Sequence, residues 1–511
     1  MKLPFSLINK KIISRFSVIF IAALLVAGCK KDFLNDPKPT DKVSTVDVFA
    51  STDGVRAFFN GLYRNFRLQW QSLDASAGGN DDTYSFVSLY AARTVKGKDI
   101  VMAFPTWYIY DYQNQNREPT YRRVNFTWEF LYENINQFNI LLKGVEGSAT
   151  ISAEDKKILS AEAKALRAWL YFELIREFQH SVAKDPNAPG VPVYTEPTSI
   201  ENKGKPRGTV KETYDLINSD IEYAVQNSSA SRNLKSQVNS NVAWGMAARI
   251  YLEQGRWADA KNAAQKARLG LQLDAQGYTS NYNDLSSPEV IWGLPQTTGN
   301  GGQSLYYGTL SSFFEQTGDG YDGFYMSEEL VSQFSLSDIR NTFFEYNAPG
   351  TPDNYATNKF GTEHPSYEVT MLNGQTVKEK TINFDESIIM MRVAEMYLIE
   401  AEAKARLGDP DAGDLLFALQ EDRDPDAVKS GNTGTALISE ILLERRKELY
   451  GELGIDWLDA KRLQLPVDRT GSNHEAPNDY ILSANDARMI LKIPQKEIDS
   501  NDFINQGDQN P

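Results

Sequence analysis

Two stretches of this chain hold most of the side chains able to form a recognition surface, and neither carries the helical period found around it. The first contains Gly78-Gly79-Asn80-Asp81-Asp82 and then Phe104-Pro105-Thr106-Trp107-Tyr108-Ile109-Tyr110. The second, from Tyr278 to His364, includes Tyr306-Tyr307, Phe313-Phe314 and Gly320-Tyr321-Asp322-Gly323-Phe324-Tyr325. Loops so rich in rings are unlike ordinary solvated connections, and a non-periodic run of this length inside a helical chain points to a subdomain or a binding surface. The chemistry on offer is stacking on rings with carboxylates beside them.

Catalytic patterns are missing by contrast. The three histidines, His180, His364 and His474, are far apart and form no HExxH. No serine sits in a GxSxG turn, and Thr298-Gly299-Asn300-Gly301-Gly302 lacks the GK[ST] ending of a phosphate loop. Asp319 and Asp322 do not match EF-hand spacing. With 68 acidic residues, some carboxylate pair will lie at glycosidase distance, so hydrolysis is not excluded by composition, but nothing marks such a pair. No catalytic residue, metal or cofactor is expected.

The elements that must position the loops are helices. Trp244, Ala247, Ala248 and Tyr251 fall on one stripe, with Ser240 placed as an N-cap and Gly255 as a left-handed stop. Ala260, Ala264 and Ala267 run down a second helix toward Gly270, and their small side chains let two antiparallel helices approach closely. The order resembles a tetratricopeptide unit, with Ala247-Ala248 in place of Leu-Gly and no closing proline. Met390, Val393, Ala394 and Tyr397 repeat the same offsets in a helix running to Gly408. Ser160 to Gln179 is a third long helix, apolar at Leu166, Trp169, Leu170, Phe172, Leu174 and Ile175. Such pairs bury their apolar faces only against neighbours, so a stacked scaffold follows. An α-rich core without true repeats is the alternative.

Further helices are expected over Asp47 to Phe66, from Asn125 onward through Trp128, Leu131, Tyr132, Ile135, Phe138 and Leu142, and over Thr209 to Val225, where Thr209 and Glu212 form a capping box. Val290-Ile291-Trp292 reads as a buried strand, which removes Trp292 from the ligand candidates. Tyr367 to Asp385 reads as a hairpin about Asn373-Gly374.

The first residues are an address. Lys2, Lys10, Lys11 and Arg15 precede an apolar run, Phe16 to Gly28, that is shorter than the ~20 residues a membrane span needs. It ends in Leu25-Val26-Ala27-Gly28-Cys29, which resembles a bacterial lipobox. Cys29 is the only cysteine, so no intramolecular disulfide forms even though the implied compartment is oxidising. Cleavage ahead of Cys29 takes the formal charge from −15 to about −19, which argues against nucleic acid as a partner. The expected organisation is a signal peptide over 1–28, a lipidated tether over 29–46, and a single helical domain over 47–511 with insertions at about 69–112 and 278–385.

The most specific words lie in the C-terminal third. Glu444-Arg445-Arg446-Lys447-Glu448-Leu449, then Glu452, Trp457, Asp459 and Lys461-Arg462, closely resemble a signature of the SusD/RagB family of Bacteroidetes surface lipoproteins. So do Ile493 to Asn501, Arg392 to Ala401, Leu166-Arg167-Ala168, and Trp128 with Tyr132 and Asn139. The matches run in the family's order over nearly the whole chain. Leu453 is inserted after Glu452, and Asp456 stands where the family often has a basic residue, which questions one local salt bridge.

The resemblance implies a mainly α, SusD-like fold: a tetratricopeptide-like scaffold with long irregular loop-rich insertions and minor β-hairpins. It implies a lipid-anchored protein at the outer membrane, facing the cell exterior, that binds oligosaccharide, or peptide as in RagB, and hands it to a SusC-like TonB-dependent transporter. Glu444, Arg445 and Arg446 would be structural. Sugars present C–H faces and hydroxyl edges, so a glycan receptor needs ring platforms with amides or carboxylates at their rims. The family builds its ligand surface from the early and middle irregular segments. The resemblance therefore nominates Asp81, Asp82, Trp107, Tyr108, Tyr110, Tyr306, Tyr307, Tyr321 and Phe324, with Cys29 as the lipidation site. A lipoprotein glycoside hydrolase and a scaffold that binds only proteins are the rival readings.

Overall fold

One-sided apolar stripes become helices that stack in chain order. The computed structural model describes residues 45–71, 79–103, 105–199, 201, 203–296, 308–314, 323–346, 355–370, 374, 376–381 and 386–511. The leader, Cys29, Asp319, Asp322 and the nominated Tyr306, Tyr307 and Tyr321 lie outside them. Helices α1 (Thr52–Asn65), α2 (Ser85–Lys96), α3 (Arg122–Gly147), α4 (Ala153–Phe178), α5 (Val210–Asn227), α6 (Ser240–Glu253) and α7 (Trp257–Ala267) precede the middle segment. After it come α8 (Val393–Leu407), α9 (Ala412–Arg423), α10 (Gly434–Leu449) and α11 (Ile455–Arg462). Each of α3 to α7 packs on the next, α8 packs on α7, and α9 and α10 both pack on α8.

The close approach expected of the small residues is present. Ala260, Ala263, Ala264 and Ala267 of α7 are fully buried, and this narrow helix sits between α6 and α8. Helix α4 is buried on almost every side from Ala161 to Phe178, which makes it the axis of the stack. Gly255 and Gly408 take the left-handed conformations that end α6 and α8, with φ of 67° and 76°. The Thr209–Glu212 capping box is formed. At α6 the cap differs: Asn239 accepts the N–H of Val242, and Ser240 is the first helical residue.

Helix α2 contradicts the expectation of a non-helical early segment. All twelve of its residues are buried, so it has no polar face and therefore no period to read. Strands are few and short. β1 (Ile100–Met102), β3 (Phe324–Met326), β4 (Phe344–Tyr346) and β5 (Tyr355–Thr357) form one sheet in the order β1-β3-β5-β4. β2 (Val290–Leu294) pairs with β8 (Ile388–Arg392), and Trp292 is fully buried as expected. β6 (Thr362–Thr370) and β7 (Thr376–Thr381) make the hairpin around Gly374.

Buried ion pairs clamp the C-terminal helices to the middle segment. Glu448 of α10 accepts hydrogen bonds from Arg392 at 2.7 Å, Arg340 at 3.1 Å and Arg423 at 3.1 Å. Arg392 also reaches Glu452 at 2.6 Å, and Arg423 reaches Glu289 at 2.8 Å. Arg445 pairs with Asp459 at 3.0 Å and Glu444 with Arg340 at 2.6 Å, while Arg446 bridges Asp99 and Glu329. The charged signature is spent inside the fold.

Asp456 explains the departure noted after Glu452. Its carboxylate accepts the backbone N–H groups of Lys98 at 2.7 Å and Asp99 at 3.2 Å, so it holds the strand entering β1 instead of making a salt bridge. Burial, then the adjacent Asp99, pushes its carboxyl up to about 7. A raised folded value means that this group's stabilisation is full below its ordinary 3.8 and is lost as pH rises through about 7. Asp456→Asn keeps the acceptor and removes the charge. With its partial exposure discounted, the variant is expected to gain on the order of 1–2 kcal/mol above neutral pH and nothing in acid. Thermal melts across that range check this; a variant less stable than the parent at alkaline pH would contradict it.

Candidate binding site

The early and middle irregular segments meet. β1 pairs antiparallel with β3, placing Ile100 opposite Met326 and Met102 opposite Phe324. Beyond β1 the chain makes a helical turn, Ile109–Tyr112, whose geometry sorts the rings: Asp111 and Tyr112 point into the fold and Tyr110 points out. Helix α3 begins beside this turn, at Arg122 rather than at Asn125.

Between the turn and the start of α3 lies a cleft of ≈ 800 Å³. Three rings line it with their faces open to solvent: Trp107 is 42% exposed, Tyr110 59% and Tyr121 46%. Gln115, Asn116 and Thr120 bring polar groups to its edge. Its floor is a charge network. Asp82 accepts from Arg122 Nε at 2.9 Å and from Arg123 Nη2 at 3.3 Å, and Arg123 Nε reaches Asp111 at 3.2 Å. The Arg122 guanidinium lies 4.9 Å from the Trp107 ring centre, which braces the indole from beneath. The Trp107 side chain also hydrogen-bonds Asp81. Burial, then Asp82, pushes the Asp81 carboxyl up, with the Trp107 bond and Arg122 opposing.

The nominated residues therefore divide. Trp107 and Tyr110 line the cleft, Asp81 is tied to it through its hydrogen bond with the Trp107 side chain, and Asp82 forms its floor as a buried ion-pair partner. Tyr108 and Phe324 are corrections, because neither ring is accessible. Tyr108 packs edge-on against Phe313 at 5.3 Å and Phe324 at 5.7 Å, and its hydroxyl donates to Ser88. Phe324 stacks on Phe313 at 5.2 Å. Their rings join the two segments to each other. Tyr121 and Arg122 were missed; the run Thr120-Tyr121-Arg122-Arg123 ahead of the apolar stripe was the available signal.

Two histidines are packing residues: Tyr112 and the Lys98 carbonyl hold the two ring nitrogens of His474, and burial lowers its value to about 4. Burial likewise lowers His180 to about 3. Among the described residues, no three His, Cys, Asp or Glu side chains gather as a metal site. No described helix is long and apolar enough to cross a membrane.

The stacked helices thus carry an open cleft lined by exposed rings. A family model described as starch-binding associating with outer membrane matches residues 82–252, and one described as SusD family matches residues 345–511. The chain belongs to the SusD family. A SusD-like protein of Formosa agariphila is 26% identical over 76% of this chain and 82% of its own. A SusD-like carbohydrate binding protein from Bacteroides vulgatus superposes with a TM-score of 0.76 at 24% identity, covering 90% of this chain and 98% of that one. A laminarin-binding SusD-like protein superposes with a TM-score of 0.64 at 21% identity, covering 90% and 99%.

Proposed function

We propose that this chain is a cell-surface glycan receptor, tethered to the outer membrane by lipid on Cys29, that captures oligosaccharide and passes it to a SusC-like TonB-dependent transporter. The observation that carries the reading is the cleft in which Trp107, Tyr110 and Tyr121 open three ring faces beside amide and hydroxyl groups. A ring covering ~50 Å² of sugar C–H surface contributes on the order of 1 kcal/mol at ~25 cal/mol per Å². Three such rings plus rim hydrogen bonds, less the cost of association, place affinity in the millimolar to micromolar range. Weak capture suits a protein that releases its cargo.

The cleft's charges also select. Arg122 and Arg123 are both paired to carboxylates, so among the described residues lining the cleft no cation is left over to meet a sulfate or a uronate. The cargo is an uncharged glycan. The mature chain without its lipid is expected to be retarded in affinity gels by a neutral polysaccharide, with laminarin and starch first in the panel, and to pass unretarded through alginate and carrageenan. No reducing sugar should appear in the mixture. Retardation only by the charged polymers would overturn the selectivity, and released sugar would move the chain among glycoside hydrolases. Co-purification of a TonB-dependent transporter from outer membranes tests delivery; recovery of the lipoprotein alone would count against it.

A further inference from the structure

We propose that the junction of α2, α4, α6, α8, α10 and α11 encloses a binding site for one small monovalent anion, a halide, held by Tyr90, Arg176 and Arg445. A cavity of ≈ 30 Å³ lies where these helices meet, and it shares no described lining residue with the glycan cleft. A water molecule needs ~10–15 Å³, so there is room for one spherical ion or about two waters, and none for a sulfate, a phosphate or a carboxylic acid.

The wall is charged and its pairs are tight. Arg249 grips Glu395 through bonds of 2.8 and 2.6 Å, Arg462 reaches Asp459 at 2.9 Å, and Arg93 Nη1 faces Glu173 Oε2 at 2.5 Å. Five guanidiniums line the cavity against four carboxylates, so one positive charge is left over among the described lining residues. The fourth carboxylate, Glu253, offsets least, because burial pushes its carboxyl up, with Arg176, Arg462 and the Ser181 hydroxyl opposing. Behind the wall, Glu177 beside Arg93 and Glu402 beside Arg462 are matched by Lys96 and Arg406. Lys461, near Glu177 and Glu253, adds to the positive side while it is protonated. A buried surplus of positive charge calls for a counter-ion.

The unused hydrogen-bonding atoms point to the same ligand. Tyr90 Oη, Arg176 Nε and Arg445 Nη1 are buried and have no hydrogen-bond partner among the described residues, and each carries a hydrogen to donate. They come from three different helices, α2, α4 and α10, and all three residues line the cavity. An anion accepts from every donor of such a set, whereas a water brings two hydrogens of its own that also need acceptors. The donors are fixed in advance. Arg176 Nη2 is bonded to Glu173 at 2.6 Å, with its guanidinium 3.9 Å from the Phe172 ring centre. Arg445 Nε is bonded to Asp459 at 3.0 Å, and Tyr90 is only 2% exposed. Groups already held in place lose little freedom when the ion arrives.

Thermal melts of the mature chain without lipid, dialysed into sodium gluconate and titrated with sodium chloride at constant ionic strength, test this. The melting temperature is expected to rise by ~2 °C or more up to ~0.2 M chloride along a saturating curve, as binding to the folded state alone requires. Tyr90→Phe deletes the hydroxyl and keeps the ring, so the fold is retained and the response should need ~3-fold more chloride. Crystals grown in sodium bromide should show an anomalous peak in the cavity, within hydrogen-bond reach of Tyr90 Oη, Arg176 Nε and Arg445 Nη1. A melting temperature indifferent to chloride, or a cavity without an anomalous peak, overturns the site and leaves the space to water. A chloride response that Tyr90→Phe leaves unchanged puts the ion elsewhere and overturns it as well.

Discussion

Glu448→Gln is expected to cost ~3–5 kcal/mol of folding stability, a large share of the ~5–15 kcal/mol that holds a typical domain together. The glutamine keeps the shape and loses the charge that Arg340, Arg392 and Arg423 converge on. Their other partners, Asp338, Glu444, Glu289, Glu452 and Asp422, remain, but each of the three buried guanidiniums loses one of the hydrogen-bonded charges that offset its desolvation.

Acid sensitivity follows from the same site. Burial alone would raise the Glu448 carboxyl, yet Arg423, Arg392 and Arg340 hold it well below the ordinary 4.5. A depressed folded value gives stability that is complete above 4.5 and is lost as pH falls toward the folded value. The parent should therefore lose stability in acid with a steepness the glutamine variant lacks. Urea midpoints at neutral and acid pH measure both effects, and a loss below ~1 kcal/mol at neutral pH would show that the cluster relaxes around the missing charge.

Trp107→Ala is expected to weaken glycan binding ~10-fold or more with little change in melting temperature. The indole is 42% exposed and rests on Arg122 and Asp81 rather than in the apolar core. Its neighbour is the control. Tyr108→Ala removes a fully buried ring that packs on Phe313 and Phe324, and it should cost ~3–4 kcal/mol of stability. The pair separates recognition from packing within two adjacent residues. Equal destabilisation by both would place Trp107 in the core.

That contrast also marks what the amino-acid sequence makes legible. Helices with one polar face, such as α5 and α7, follow from their spacing, and the Thr209–Glu212 cap follows from two side chains. Helix α2 does not, because burial on every side erases its period. In the loops, residue type announces rings but not the side they face. Tyr108 and Phe324 look identical in kind to Tyr110, and only the pairing of β1 with β3 turns the first two inward. Tyr121 escaped notice because the apolar stripe starts after it, whereas α3 starts beside it. The family words were informative about the scaffold for the same reason that they say little about ligand: Glu444, Arg445, Arg446 and Glu448 are all consumed by partners inside the fold.

Binding by the double variant Trp107→Ala, Tyr121→Ala measures most directly whether the exposed rings of this cleft hold a glycan. In affinity gels cast with the neutral polysaccharide that retards the parent, the double variant should migrate as it does in a gel without polysaccharide, while its melting temperature stays within a few degrees of the parent's. Full retardation of a folded double variant would contradict the account, since the glycan would then be held elsewhere on the scaffold.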